Sequence, residues 1–245
     1  MNISLRKVKV IFMMKLRMIL ANLSIMIGPL MALGFVFMYH KIMPSGGNAE
    51  EAQFMQSYFL QLGLLFNIMM TGIMASSMPL AEEKEKNTLR VLMTSSVKGS
   101  EFFIGSMAPV LLIMVIVNIL LLPVSGVSGI NIGLYILITT FSSLITLIIG
   151  GIVGLVANTQ MTASLLSVPL MMVLMMIPLF SNMNEGMAKV ADYLYTGGMS
   201  ESIANLASKS ADPISTHTVI VHFIWLVVSL VAFLYYYKRR GLDND

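Results

Sequence analysis

Phe102-FIGSMAPVLLIMVIVNILLLPVSGVSGINIGLYILITTFSSLITLIIGGIVGLVANTQMTASLLSVPLMMVLMMIPLFSNM-Asn184 contains no Asp, Glu, Lys, Arg or His. A soluble domain cannot carry such a run, because soluble chains average about 25% charged residues to keep their surface wet. A bilayer core of about 30 Å asks instead for about 20 apolar residues per helical crossing. The run holds three crossings, cut by Pro123-Val-Ser-Gly126 and by Ala157-Asn-Thr-Gln160, the second cut having no charge to anchor it.

Outward from that core, the same length criterion places spans at about 19–39, 54–79, 102–122, 130–156, 161–180 and 217–237. Composition agrees, with 57% hydrophobic and 11% charged residues and a mean hydropathy of +0.84. The fold class is all-α integral membrane with six transmembrane helices, one transmembrane domain over residues 1–245. The chain has no cysteine, which excludes disulfides, thiolate metal sites and a cysteine nucleophile. No basic surface interleaved with aromatics points to nucleic acid, and no metal site is expected.

Lys and Arg are retained on the cytoplasmic side of a membrane, which fixes orientation. With the N-terminus inside, the inner segments hold twelve basic residues, Lys15, Lys84 and Arg239 among them, and the outer ones only Lys41, Lys189 and Lys209. Both termini are therefore expected in the cytoplasm. Residues 1–18 read as an interfacial helix on the inner leaflet, with Leu5, Val8, Phe12 and Leu16 at helical spacing beside a stripe of Arg6, Lys9 and Arg17; a plain basic flank is the alternative.

The outer loop 181–216 carries Met187, Val190, Ala191 and Leu194 at helical spacing, after which Gly197-Gly198 is expected to break the helix. Ser200 is expected to cap a second short helix bearing Ile203 and Leu206, ending before Pro213. The two helices lie on the surface or re-enter the membrane. In the second case Val190, Leu194, Ile203 and Leu206 form a candidate outer gate.

The inner loop 81–100 reads as a short amphipathic helix. Glu82, Glu83 and Glu85 crowd its first turns, Glu82 and Lys86 form an i,i+4 pair, and Leu89, Leu92 and Met93 share a face. Such a helix suits docking of a soluble partner, though a solvated connector has the same pattern. The run Glu83-Lys-Glu-Lys-Asn-Thr-Leu-Arg-Val-Leu92, just after the second span, resembles the coupling-helix signature of ABC-2 type export permeases, roughly E-x-E-x-G-T-L-x-x-L with Pro-Val and Gly-Lys following. Glu83, Glu85, Thr88, Leu89, Leu92, Val97 and Gly105 match; Asn87 replaces a glycine, Ser96 a proline and Ser106 a lysine. Asn87 can still adopt the left-handed conformation the glycine would supply.

The resemblance implies a transmembrane subunit of an ATP-driven exporter in a plasma membrane, of bacterial type. It would pair with a second permease subunit, identical or related, and rest on two ABC ATPase subunits. ATP and Mg would belong to that ATPase, since this chain has no G-x-x-x-x-G-K-[ST] loop and is expected not to be an enzyme. Glu82, Glu83, Glu85, Thr88, Leu89 and Leu92 would be the ATPase-coupling residues. The cargo implied is a drug or an amphipathic, antimicrobial-type peptide, with sodium as the alternative.

Within the spans, Gly150 and Gly154 form a small-xxx-small step for helix packing, within the subunit or at a dimer seam. His222, Asn67 and Asn118 read as interhelical hydrogen-bonding groups, although an intramembrane histidine is also a functional candidate. Methionine pairs such as Met171-Met172 and Met175-Met176 suit an apolar path, or simply face lipid. Paired aspartates or a zinc motif for an intramembrane enzyme, and the midplane charges of a secondary transporter, are not evident.

Overall fold

The computed structural model describes residues 4–42, 49–88 and 97–240. Among them the chain is helical throughout, with no strand. Helices α1 (Leu5–Ala21) and α2 (Leu23–Ile42) are followed by α3 (Ala49–Phe66), which runs through a π-helical segment (Asn67–Met74) into α4 (Ala75–Glu85). Then come α5 (Gly99–Ser125), α6 (Ile132–Val156), α7 (Gln160–Phe180), the short α8 (Glu185–Ala191) and α9 (Tyr195–Ala207), and α10 (Thr216–Arg240).

Six helical segments are long and apolar enough to cross a membrane, and the protein is a multi-pass membrane protein. The second, Glu51–Glu85, is the most enclosed: 78% of its apolar window is buried, against 22% for the last span, Thr216–Arg239. Helices α2, α5, α6, α7 and α9 pack on this composite rod, α10 packs on α6 and α9, and the outer faces keep the exposed Leu, Ile, Val and Phe side chains that a lipid solvent favours.

Element ends follow local chemistry. The Asn22 side chain accepts from the Ser24 N–H at 3.0 Å and sets the corner between α1 and α2. Pro123 is held inside the last turn of α5, and the stop comes at Gly126, whose φ of 77° is left-handed. The uncharged cut at 157–160 is a genuine corner, because the Thr159 hydroxyl caps α7 by accepting from Thr162 N at 3.1 Å. One end of the bundle gathers α1, the end of α4, the start of α5, this corner and the end of α10. We call it the basic end. The opposite end holds α8 and α9.

The N-terminal helix also has a face packed on protein. Ile11, Lys15 and Ile19 are buried against α5, while Leu5 is exposed. Gly105 explains the fit, since a Cβ there would come within 2.8 Å of the Ile11 Cβ.

Candidate functional site

At the basic end, Glu82, Glu83 and Glu85 sit in the last turn of α4, not in the first turns of a separate helix. This corrects the expected dipole argument, because negative charge at a helix C-terminus is disfavoured. The structure compensates each carboxylate individually. Glu82 accepts from Lys86 at 2.6 Å, the expected i,i+4 pair. Glu83 accepts from Lys15 of α1 at 2.5 Å, with Lys15 only 3% exposed. Glu85 accepts from the Gln160 N–H at 3.0 Å, at the start of α7, where the dipole welcomes an anion.

Between them, Lys84 donates to the carbonyls of Leu155 and Ala157, both at 2.6 Å, so it satisfies the C-terminal end of α6. Asn87 takes a φ of 55°, the left-handed conformation expected in place of the family glycine. Thr88 donates to the Glu83 carbonyl at 3.2 Å. Leu89 and Leu92, with Met93, lie outside the described residues. The acidic run therefore ties the end of α4 to the middle of α1, the end of α6 and the start of α7, with the Glu82–Lys86 pair at the surface beside the exposed Glu85. The hydrogen bond that Lys86 donates to Glu82 holds its ammonium above its ordinary pKa, so Lys86 stays charged at physiological pH.

Beside the Lys15–Glu83 pair lies a cavity of about 10 Å³, the size of one water molecule. The second Glu83 oxygen and the Ser106 hydroxyl both line it without a partner among the described residues. Lys15 also lies over the Phe102 ring, 5.4 Å from its centre.

The middle of the bundle is joined by polar side chains. Asn67 donates to Asn118 Oδ1 at 2.8 Å and to the Met114 carbonyl at 3.0 Å, and Thr71 donates to Asn67 Oδ1 at 3.0 Å. Asn118 donates to the Ser143 hydroxyl at 3.2 Å, and Tyr135 donates to the Asn118 carbonyl at 2.6 Å. The network stitches the π-helical segment to α5 and α6. His222 sits with Nδ1 on the Thr218 carbonyl at 2.9 Å, which makes Nδ1 the donor, and Nε2 3.0 Å from the Ser142 hydroxyl. Gly150 and Gly154 lie against the composite rod of the same chain. A Cβ at Gly150 would meet Gly72 O and Ile73 Cα at 2.8 Å, and one at Gly154 would meet Ser77 O at 2.9 Å.

At the opposite end, α8 and α9 form a helical hairpin, and α9 is sunk into the bundle. Tyr195, Met199, Ile203 and Leu206 are buried, and the Tyr195 hydroxyl lies 2.9 Å from that of Thr146, well inside α6. Gly197-Gly198 does not break the helix; both residues lie within α9. A side chain at Gly197 would run into the Ala191 carbonyl and one at Gly198 into Thr218. The glycines allow close approach, as small residues do between membrane helices. Ser200 is likewise mid-helix and buried rather than a cap. Of the expected gate residues, Ile203 and Leu206 are buried and Leu194 packs partly buried on the main core. Val190 is 49% exposed because α8 turns only its Ala191 side inward. Leu206→Glu should therefore abolish folded protein or activity, whereas Val190→Glu should be tolerated within about 0.5 kcal/mol. Protein yield and thermal stability in detergent check this, and equal behaviour of the two variants would contradict it.

Between α3, Asn182 and α9 the same end opens into a groove of mixed polar and apolar lining that sequence reading did not single out. Gln53, Ser57 and Gln61 line it from α3, and their i, i+4, i+8 spacing in an otherwise apolar span was the available signal. The Gln53 side chain donates to the Ala207 carbonyl at 2.7 Å and holds the end of α9.

The sequence profile of a family described as ABC-2 family transporter protein matches residues 39–235, from the end of α2 into α10. No curated protein matches the chain.

Proposed function

Since the chain belongs to the ABC-2 family of transporter proteins, it is a transmembrane subunit of an ABC transporter working with an ABC ATPase, and we propose that it exports a drug or an amphipathic, antimicrobial-type peptide across a bacterial plasma membrane. In this reading the basic end faces the cytoplasm, both termini included, in keeping with the twelve-to-three distribution of basic residues. A second permease subunit completes the path, and two ATPase subunits sit below the pair.

One observation carries the reading. The acidic run at the end of the second span is bonded to α1, α6 and α7 at once, through Lys15, Leu155, Ala157 and Gln160. A push on this segment reaches four helices without intermediate loops, which is what a subunit driven by an external ATPase needs. The outward Glu82–Lys86 pair supplies the charge pattern that the ATPase would read.

Exchanging the pair as Glu82→Lys with Lys86→Glu keeps the i,i+4 attraction but inverts that pattern. The variant should insert and fold normally, and co-purification of the ATPase should fall at least tenfold, a loss of about 1.4 kcal/mol or more. Unchanged co-purification and unchanged stimulation of ATP hydrolysis would remove this end of the protein from the docking surface.

A further inference from the structure

We propose that the groove at the α8–α9 end binds an amphipathic organic cation through Asp192 and Glu201, a reading that names the cargo class for the exporter proposed above. Two contiguous clefts of about 390 and 230 Å³ share Gln61, Asn182 and Ala204. Asp192 and Glu201 line the smaller one, and no Lys, Arg or His lines either. Neither carboxylate has an ion pair or hydrogen bond among the described residues. Two unneutralised carboxylates beside a basic-free cleft make a strong local preference for positive charge.

A second observation points to a ligand independently of the acids. Ser200 is 7% exposed, lines the same cleft, and its hydroxyl has no hydrogen-bond partner. A serine inside a helix ordinarily donates to the carbonyl four residues back, as Ser202 does to Gly198 at 2.8 Å. Ser200 does not, so a buried hydroxyl is kept for something else, at a desolvation cost that a ligand N–H would relieve. Gln61 adds a further acceptor: its Nε2 donates to the Ser57 hydroxyl at 3.2 Å, and its Oε1 accepts no hydrogen bond among the described residues.

The larger cleft supplies the apolar part. Phe54 and Tyr58 line it, with their rings stacked at 6.5 Å and Phe54 62% exposed. An ammonium or guanidinium group sits at Asp192, Glu201 and Ser200, and its hydrophobic body rests on the aromatic wall. A bare sodium ion needs a tight shell of oxygens and would use neither the aromatic wall nor most of the volume.

The test uses the full chain in phosphatidylcholine nanodiscs, without nucleotide, with dansylcadaverine as a primary ammonium probe and its N-acetyl derivative as the uncharged twin. Dansylcadaverine should bind saturably and at least tenfold more tightly than the twin. Asp192→Asn with Glu201→Gln should abolish that difference while leaving the weak binding of the twin unchanged, and Ser200→Ala should weaken the ammonium probe several-fold. Equal binding of the two probes, or full affinity in the double variant, would overturn the proposal. Displacement by sodium chloride but not by choline chloride at equal ionic strength would overturn it in favour of a sodium site. Binding is measured without the ATPase, so failure of the ATPase to co-purify would sink the exporter reading and leave this one standing.

Discussion

Lys15→Met should destabilise the protein by about 3–5 kcal/mol, because it leaves the Glu83 carboxylate enclosed at the basic end with no cation. The pair is 2.5 Å long, with side chains 4% and 15% exposed. The second Glu83 oxygen already lacks a partner, so nothing nearby can take over. Lys15→Met combined with Glu83→Leu should recover most of that stability, since an enclosed ion pair replaced by apolar groups of similar size is often neutral or better. Thermal unfolding in a fixed detergent measures both variants. If the double variant is stable yet transports nothing, the pair serves motion between α1 and α4. If the single variant is as stable as the wild type, the pair is solvated and the burial described above is wrong.

Gly150→Val should remove folded protein altogether, an effect of more than about 3 kcal/mol. The new Cβ would lie 2.8 Å from both Gly72 O and Ile73 Cα, and backbone atoms cannot rotate away. Gly34→Leu is the matched control. Its Cβ meets nothing within 4 Å, so the larger side chain faces open space and should be tolerated. Expression level and monodispersity in detergent separate the two outcomes. A folded Gly150→Val protein would mean that α6 does not pack on the composite rod as described.

Much of this was legible in the sequence because a bilayer leaves few options. Charge-free runs of fixed length become helices, so the crossings and even the uncharged corner at 157–160 could be read directly. The Glu82–Lys86 pair, the left-handed Asn87 and the bonded His222 also followed from local chemistry. What could not be read was which neighbour each side chain would meet. Glu83 and Glu85 resemble a helix start, but Lys15, sixty-eight residues away, and Gln160 make them a helix end. Gly197-Gly198 resembles a breaker, because a chain read in isolation does not reveal that Ala191 and Thr218 would fill the space. The polar stripe Gln53, Ser57 and Gln61 was periodic and readable, but its meaning depends on α9 lying opposite.

The composite rod has a mechanical consequence. Gln61, on the groove, and Glu83, on the charged junction, belong to one continuous helical piece. At about 1.5 Å per residue they stand about 33 Å apart, nearly the thickness of the hydrocarbon layer. A stiff beam of that length turns a tilt of about 5° at one end into a displacement of about 3 Å at the other. Regular α-helical bonding along it is interrupted at the π-helical segment Asn67–Met74 and at Pro79, and Asn67 ties the π-helical segment to its neighbour, with Thr71 bonded to Asn67 within it. Halfway along the beam, then, the hold on its neighbours is made by amide and hydroxyl groups, with Asn67 at the centre.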